Sequence, residues 1–343
     1  MNKKAIDDRR LVRELQENPR ASYAAIARRL NASETTISRR IDALISSENI
    51  SIAVVPDLHQ LGYVTSAYVG LKLDLLRLQS VSEEIASMLE VTFTAITTGR
   101  YDFMFFVAER TLDDLNRFLS TQIAPMQGVR NIEPILTPSM FKGLSRDWRV
   151  PMDEQSSRES HRMERGASLI YPPEPAPLDS VNLSLIYALQ EEPRASYADI
   201  ARGVGISQTT ARRRIGALVD SKVISFAVIP DLDWLGYVTS AFIGIKVDLS
   251  KLDDIARCMV ELPEVAFAAT TTGRFDMILF SVQKSLAGLT RFLVETMSQV
   301  PGVYSTESII TTRVTKTLRD WRVCHEYDLP VNSVRNTDKS RVS

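Results

Sequence analysis

The chain opens with three short amphipathic helices separated by turn residues. Apolar residues recur at helical spacing over 6–16, and Asn18-Pro19 ends this first helix because the residue before proline disfavours the α region. A second helix is predicted over 23–30. Asn31 then tolerates the left-handed conformation of a tight turn, and Ser33 is a natural N-cap for a third helix that runs to about residue 46. This order is typical of a helix-turn-helix element.

The next segment, 64–137, alternates between the periods of strands and helices. Ala67, Val69 and Leu71 share one face of a first strand. Later runs predict a helix, two strands about a turn at Gly99, a second capped helix and a last strand. The order is βαββαβ, the ferredoxin-like arrangement, in which both helices cover one face of the sheet.

The other face of this predicted sheet is open. We expect Tyr68, Phe103 and Phe105, or their near neighbours, to lie on it. An exposed aromatic face of this kind marks a contact surface. The pattern therefore predicts dimerisation through the sheet.

Both patterns occur twice in the chain. NPRASYAAIAR at Asn18–Arg28 returns as EPRASYADIAR at Glu192–Arg202, and TTGRYD at Thr97 returns as TTGRFD at Thr271, at a spacing near 174 residues. This period is too long for a solenoid repeat, so we expect each copy to have its own core. The predicted fold class is α+β, with two tandem units that each contain a (winged) helix-turn-helix domain and a ferredoxin-like βαββαβ domain.

The repeat and the local composition give the expected domain limits. Between the copies, a stretch rich in charge and serine is followed by four prolines within Pro172–Pro177, which is typical of a linker. We expect helix-turn-helix domains at 1–55 and 179–229, ferredoxin-like domains at 60–150 and 234–324, a linker at 151–178 and a flexible tail at 325–343.

Composition argues against several classes of protein. The formal net charge of −1 disfavours a protein that coats nucleic acid by bulk charge, but it allows a local basic face. Both cysteines lie in the second copy and the three histidines have unlike settings, so we expect no disulfide framework, metal site, cofactor or catalytic residue. The first residues include acids where a secretory signal is apolar, which predicts a cytoplasmic protein without a membrane segment.

The third helix of each copy has a polar outward face, because Ile37, Ile41 and Leu44 form its buried stripe. The outward set is Glu34, Thr35, Ser38, Arg39 and Asp42 in the first copy and Gln208, Thr209, Arg212, Arg213 and Gly216 in the second. Hydroxyls and a helix N-terminus bind phosphates, while Arg, Gln and Glu contact base edges in the major groove. The alternative is a plain three-helix domain whose arginines are solvated.

The TTGR(Y/F)D turn of each body is a second candidate site. Glycine lets backbone amides approach a carboxylate, Thr and Arg offer donors, and Asp can accept from an ammonium group, which suits an amino acid. The candidates are Thr97, Thr98, Gly99, Arg100 and Asp102, and Thr271, Thr272, Gly273, Arg274 and Asp276. The alternative is a β-hairpin whose Gly serves the turn and whose Asp bonds its own backbone. Trp148 and Trp321, in the repeated RDWR, either close such a pocket or are packing residues.

Each copy resembles the Lrp/AsnC family, the leucine-responsive or feast/famine regulators. The resemblance covers almost all of both copies and is most specific in NPRASYAAIARRLNASETTISRRIDALISSENI and EPRASYADIARGVGISQTTARRRIGALVDSKVI, followed by PDLHQLGY or PDLDWLGY. It implies a DNA-binding head, and a body that dimerises through its sheet, often assembles further and binds an amino acid or similar effector beside the TTGR loop. Family members are usually single units, so this chain is expected to form their dimer within itself.

The resemblance also implies which residues contact double-stranded DNA. Together with the caps Ser33 and Ser207 and with Gln208, the expected contacts are Thr35, Thr36, Ser38, Arg39 and Arg40, and Thr209, Thr210, Arg212, Arg213 and Arg214. The copies differ at Glu34 against Gln208 and at Ser38 against Arg212. We therefore expect an asymmetric operator with unlike half-sites.

Two other functions remain open from the sequence. Siroheme decarboxylases resemble Lrp/AsnC proteins and can be fused in tandem, but they rely on histidine and arginine positions in the body, where this chain has only His59 at the edge. An architectural nucleoid protein with little sequence preference is the third possibility, and the near-neutral charge makes it less favoured.

Overall fold

The structure is a computed structural model and describes residues 7–143, 147–150 and 178–322. Residues 151–177 of the expected linker at 151–178, the expected tail at 325–343 and residue 6 of the first predicted helix lie outside the described residues. The elements of the first unit are α1 (Asp8–Glu17), α2 (Tyr23–Leu30), α3 (Glu34–Ser46), β1 (Ile50–Pro56), β2 (Thr65–Leu73), α4 (Leu78–Ser87), β3 (Val91–Thr98), β4 (Phe103–Glu109), α5 (Leu112–Phe118), β5 (Val129–Leu136) and β6 (Met140–Lys142). Those of the second unit are α6 (Ser180–Glu191), α7 (Tyr197–Val204), α8 (Gln208–Asp220), β7 (Ile224–Pro230), β8 (Thr239–Val247), α9 (Leu252–Glu261), β9 (Val265–Thr270), β10 (Met277–Gln283), α10 (Leu286–Arg291) and β11 (Val303–Lys316).

The head of each unit is the predicted set of three helices. Ser22 accepts a hydrogen bond from the backbone N–H of Ala25, and Ser33 accepts one from Thr36, so both act as N-caps. Asn31 has φ 51° and Gly205 has φ 75° after α2 and α7, which confirms the left-handed turn before each third helix.

A strand that the sequence pattern did not predict follows each head. β1 and β7 pair antiparallel with each other, from Ile50 opposite Pro230 to Pro56 opposite Ile224. The first helix of each head also packs on the other unit's strand, α1 on β7 and α6 on β1. The two heads are therefore joined by a ribbon built from both copies.

The two bodies share one sheet of nine strands, in the order β5-β2-β4-β3-β11-β8-β10-β9-β6. Each unit contributes four strands in the predicted ferredoxin-like arrangement, and the units join where β11 pairs with β3 and β6 pairs with β9. β5 and β6 are at opposite ends of this order but follow each other in the chain. The sheet therefore curves back on itself and leaves the two bodies interlocked.

In each body, the helices leave one face of the four strands open, and the other body covers that face. Ring centroids of Tyr68 and Phe242, one from each unit, lie 5.1 Å apart with the rings edge to face. The aromatic cluster between the bodies consists of Tyr68, Phe93, Phe106, Phe242, Phe267 and Phe280. The partner that the open face required is thus the second copy within the same chain.

The expected position of Phe103 and Phe105 was wrong. Both side chains lie on the helix-covered face, in a core with Phe118 of α5. The register places Phe106 opposite Tyr68 in the β2–β4 pair, so alternation along β4 sends Phe103 and Phe105 to the other side. A shift of one residue in phase exchanges the two faces of a strand.

The two tryptophans of the repeated RDWR are packing residues that connect the units. Trp148 is buried, its Nε1 donates to the carbonyl of Pro263 at 3.0 Å, and its ring packs edge to face on Tyr237. Trp321 donates in the same way to Leu89 and packs on Tyr63. Each tryptophan therefore fastens the end of its own body to the other unit.

None of the helices in the described ranges has the length and apolar character that crossing a membrane requires.

The shared aromatic cluster predicts a single unfolding transition for both bodies. Phe242→Ala removes a fully buried ring from that cluster and is expected to lower the free energy of unfolding by about 3–5 kcal/mol. Tyr304→Ala, at an exposed residue of β11, is the control and should change it by less than about 0.5 kcal/mol. Urea unfolding followed by circular dichroism measures both; a transition that splits, with only one part shifted, would contradict the interlocked fold.

Candidate nucleic-acid interface and ligand loops

The recognition faces of α3 and α8 lie in solvent. Ile37, Ile41 and Leu44 are buried in the first head, as the helical pattern predicts, and Ala211, Ile215 and Leu218 are buried in the second. The exposed side chains on these helices include Glu34, Thr35, Arg39 and Asp42, and Gln208, Thr209, Arg212 and Arg213, whereas Ser38 is partly buried. The residues that are predicted to contact DNA thus lie together on one surface of each head.

Hydroxyl pairs cap the N-terminus of each recognition helix. The side chains of Ser33 and Thr36 share a hydrogen bond of 2.7 Å, and those of Ser207 and Thr210 share one of 2.8 Å. Each serine also accepts from the backbone N–H of its threonine. Each pair holds the start of its own recognition helix in place. The N-terminal amides of that helix and their partial positive charge therefore point outward.

Arg40 and Arg214 are held by acidic residues of their own heads. The Arg40 guanidinium donates to both oxygens of Asp8, and this contact raises the pKa of Arg40. Arg214 pairs with Asp179 at 2.7 Å, and the pKa of Asp179 is lowered by the Asn182 backbone N–H and by Arg214. Sequence reasoning missed both carboxylates. The two arginines fasten each recognition helix to the first helix of its head.

The arginines next to them are unpaired. No ion pair with Arg39, Arg212 or Arg213 occurs among residues 7–143, 147–150 and 178–322. In the first head Arg39 is accompanied by the acids Glu34 and Asp42, whose places in the second head are taken by uncharged Gln208 and Gly216. The unpaired charge on the recognition surface is therefore negative in the first head and positive in the second.

A pair of crossed cation–π contacts fixes the heads relative to each other. The guanidinium of Arg20 lies 4.8 Å from the ring centroid of Tyr197 and donates to its hydroxyl, and Arg194 makes the same contacts with Tyr23. Each arginine belongs to one head and each tyrosine to the other. Both contacts, with the β1–β7 ribbon, give the heads one defined separation.

The TTGR loops are hairpins between β3 and β4 and between β9 and β10. Gly99 has φ 102°, which favours glycine, and Thr97 is buried with its hydroxyl donating to the Tyr101 carbonyl. Asp102 accepts from the Lys72 ammonium at 2.8 Å and from the backbone N–H of Leu73 at 3.0 Å. An ammonium partner for this aspartate is thus supplied by the chain itself.

The second loop repeats this arrangement. Asp276 accepts from Lys246 at 2.8 Å and from the backbone N–H of Val247 at 2.9 Å, and Thr271 donates to the Phe275 carbonyl. Sequence reasoning missed both lysines, although they occupy equivalent places in the two copies. Thr98, Gly99, Thr272 and Gly273 remain exposed at the tips of the loops.

The loop arginines cross from one unit to the other. Arg100 forms an ion pair with Glu307, which raises the pKa of Arg100, and Arg274 forms the equivalent pair with Glu133 at 2.9 Å. The glutamates are residues that sequence reasoning missed; their equivalent positions in both copies were the available signal. The loops therefore join the two units at a guanidinium and a carboxylate.

One aromatic residue distinguishes the two loops. Tyr101 is buried with its ring against Gly70, where a Cβ would come within 2.4 Å of a ring carbon, so only glycine fits there. Burial and the Glu133 carboxylate raise the pKa of Tyr101, although its hydroxyl makes no hydrogen bond of good geometry in the described residues. Phe275 takes the equivalent place against Gly244 in the second unit.

Across the described part of the chain, no group of three His, Cys, Asp or Glu side chains is arranged to hold a metal ion.

Two family models match the chain, each of them in both copies. The AsnC-type helix-turn-helix domain matches residues 7–45 and 178–219. The Lrp/AsnC ligand binding domain matches residues 66–142 and 240–321. The matched ranges contain both TTGR loops and all but the last residue of each recognition helix.

Similar proteins are about as long as one copy. The HTH-type transcriptional regulator FL11 of Pyrococcus horikoshii is 33% identical over 141 residues, which is 41% of this chain and 93% of that protein. The Bkd operon transcriptional regulator of Pseudomonas aeruginosa is 33% identical over 138 residues, or 39% of this chain and 90% of that protein.

A solved structure has the same two-unit layout. The siroheme decarboxylase NirDL aligns with 94% of this chain and 96% of its own, with a TM-score of 0.62 and 16% sequence identity. At this identity the likeness shows the fold alone.

The Arg40 contact predicts a difference between two neighbouring arginines. Arg40→Ala breaks a partly exposed ion pair between α3 and α1 and should lower the free energy of unfolding by up to about 1 kcal/mol. Arg39→Ala removes an exposed, unpaired side chain and should leave that free energy within about 0.5 kcal/mol. Urea unfolding of the two variants compares them, and equal losses would count against the fastening role of Arg40.

Proposed function

The chain belongs to the Lrp/AsnC family of DNA-binding transcriptional regulators, and we propose that its two heads bind the unlike halves of one operator under the control of a small effector. The observation that carries this proposal is the pair of different recognition surfaces on heads held at one defined separation. A symmetric dimer has two identical heads and favours a palindrome. A tandem chain has no such restriction.

We propose a separate role for each group of residues on the recognition helices. The helix N-termini with their serine and threonine caps contact phosphates. Arg39, Arg212 and Arg213 contact phosphates or guanine, Gln208 suits adenine, and Glu34 suits cytosine. Arg40 and Arg214 act by holding their helices in place, a role supported by their ion pairs within the head.

The charge difference gives the two heads unequal shares of the binding energy. The outward set of the second recognition helix has two unpaired arginines, Arg212 and Arg213, and no acid, so the second head is the stronger phosphate binder. The first head, with Glu34 and Asp42, is repelled by phosphates and gains its energy only on a matching half-site. The second head therefore anchors the chain on DNA, and the first head discriminates between half-site sequences.

The effector site in this proposal is the TTGR loop with its partner glutamate. An amino acid has a carboxylate that competes with Glu307 for Arg100 and an ammonium group that competes with Arg100 for Glu307. Arg274 and Glu133 offer the same pair of charges in the other loop. Because each pair joins the two units, an effector bound between them changes how the bodies are held together.

We further propose that the protein is cytoplasmic and that its interlocked units act as the dimer that relatives form from two chains, with further self-association through the bodies. DNA binding is assigned to 1–55 and 179–229, and effector binding and assembly to 60–150 and 234–324. We propose no catalytic role. A TM-score of 0.62 at 16% identity to a siroheme decarboxylase carries a fold alone, and among the described residues the one histidine is His59, at the edge of the first body. Bound tetrapyrrole with turnover in the purified protein would support an enzyme instead.

Footprinting tests DNA binding directly. The purified chain is incubated, at a stated salt concentration, with its own promoter and the neighbouring intergenic DNA. We expect a protected site that is lost in the Arg39→Ala/Arg213→Ala double variant, because both unpaired recognition surfaces are weakened. Protection that ignores sequence and substitution would favour the architectural function, and an absence of protection would contradict a regulator of these regions.

The unequal heads predict different effects for the two single variants. Arg213→Ala should weaken binding about 10- to 100-fold and reduce the slope of log K against log salt concentration by about one. Arg39→Ala should have a smaller effect on that slope, because Glu34 and Asp42 already offset its charge. Fluorescence anisotropy over a salt series measures both; equal slopes would contradict the division between an anchoring head and a discriminating head.

A further inference from the structure

A cavity of about 210 Å³ lies where the end of the second unit meets the first body. Tyr63 and Leu89 of the first unit line it, together with Trp321 of the second unit. The residues of the two TTGR loops lie elsewhere, so the cavity is separate from the effector site proposed above. Drug-sized ligands occupy sites of about 300–1,000 Å³, so this smaller cavity suits a ligand with few heavy atoms.

Two carboxylates without partners line the cavity. Glu90 precedes β3 and Glu109 ends β4, both are half-buried, and neither side chain forms an ion pair or a hydrogen bond within the described residues. Burial, Glu90 and Asp114 raise the pKa of Glu109 to about 7. Arg110 and Arg117 act in the opposite direction without cancelling this shift. A half-buried carboxylate of this kind is stabilised by a cation close to it.

The cavity also contains a hydroxyl without a partner. Thr92 lines it and is 3% exposed, and its side chain makes no hydrogen bond within the described residues. The unpartnered hydroxyl of Thr311 is sealed from solvent, whereas that of Thr92 is not. A buried polar group without a partner is costly, so this hydroxyl favours a ligand that donates an N–H or O–H to it.

The basic residues that line the cavity have other contacts. The Arg110 guanidinium lies 5.1 Å from the ring centroid of Tyr63. Arg322 pairs with Glu191 at 3.0 Å. The contact of Arg110 also shows that one face of the Tyr63 ring holds a cation. The two unpartnered carboxylates are therefore left for a ligand.

The second unit repeats the rings of this corner but not its polar groups. The equivalent rings are Tyr237 and Trp148. Three polar residues that line the cavity are replaced at the equivalent places: Thr92 by Ala266, Glu109 by Gln283 and Asp114 by Gly288. Gln283 is buried and donates to the hydroxyl of Ser281 within its own unit. The fold therefore requires the rings but not the acids, which points to a ligand on the first unit alone.

We propose that this cavity is a binding site for a short aliphatic diamine, with one site per chain. One ammonium group donates to the two unpartnered carboxylates and to the Thr92 hydroxyl, and the methylene groups pack on Leu89 and Trp321. The other ammonium group stays in water, where the partly exposed Asp114 adds negative charge. An amino acid is disfavoured, because the same acids repel its carboxylate. The site is independent of the DNA-binding function proposed above.

A bound diamine holds the two units together at this corner. The wall combines the first body with Trp321, whose Nε1 donates to the carbonyl of Leu89. A ligand that contacts both sides binds the interlocked chain and not the unfolded one, so it stabilises the fold. The melting temperature of the chain should therefore rise with diamine concentration.

Calorimetric titration of the full chain with putrescine, at a stated low salt concentration and a pH above the pKa of Glu109, tests the proposal. We expect one site per chain, and at least about tenfold weaker binding of 1,4-butanediol, which has the same length and no charge. Glu109→Gln, which copies Gln283, should weaken putrescine binding at least about tenfold. Thr92→Ala, which copies Ala266, should weaken it about two- to tenfold through the loss of one hydrogen bond. Glu84→Gln removes an exposed acid of α4 outside the cavity and should leave binding unchanged.

The pH dependence of binding identifies the carboxylate. Glu109 is protonated below its pKa of about 7, so putrescine affinity should rise as the pH increases through this value, with release of a proton. Glu109→Gln should remove this rise, because the amide does not titrate. A rise of equal size in that variant would overturn the proposal.

Other outcomes also count against the site. The proposal is overturned if putrescine gives no heat, if 1,4-butanediol binds equally well, or if Glu109→Gln and Glu84→Gln weaken binding to the same extent. The last result would mean that the amine binds the acidic surface in general. An unchanged circular dichroism melting curve without putrescine verifies that each variant folds. Footprinting is a separate measurement, so a failure here leaves the DNA-binding function to its own test.

Discussion

The pairing of the two units within one sheet is the constraint on which the rest of the structure depends. β3 pairs with β11 and β6 with β9, and the aromatic cluster of both bodies fills the space between the faces. Each body alone leaves an apolar face in water, which is costly in proportion to its area. The second copy covers it. The tryptophans Trp148 and Trp321 then bind the end of each body to the other unit.

This interlock has a consequence for the heads. The β1–β7 ribbon and the crossed contacts of Arg20 and Arg194 keep the recognition helices in one arrangement, whatever residues their outer faces carry. Those faces are then free to differ, because no symmetry relates them as it does in a dimer of identical chains. The same freedom applies to the loop position that is Tyr101 in the first unit and Phe275 in the second.

Local chemistry made much of this architecture predictable. Caps such as Ser33, the turn at Asn31 and the period of the strands are short-range signals, and the repeat showed that all of them occur twice. The phase of β4 was wrong because every residue from Phe103 to Ala108 is apolar, so the sequence alone does not tell which alternate set faces the helices. The β1–β7 ribbon, the Arg40–Asp8 pair and the Arg100–Glu307 pair depend on contacts between distant segments, which no local pattern carries.

In the proposed function, one chain presents two different recognition helices to DNA in a fixed order. Exchanging the recognition helices α3 and α8 within the full chain tests this order most directly, because the rest of the structure stays the same and only the two helices change places. Binding is measured on DNA that carries the two half-sites in either order. The account predicts that the preferred order inverts in the exchanged protein, and an unchanged preference would contradict it.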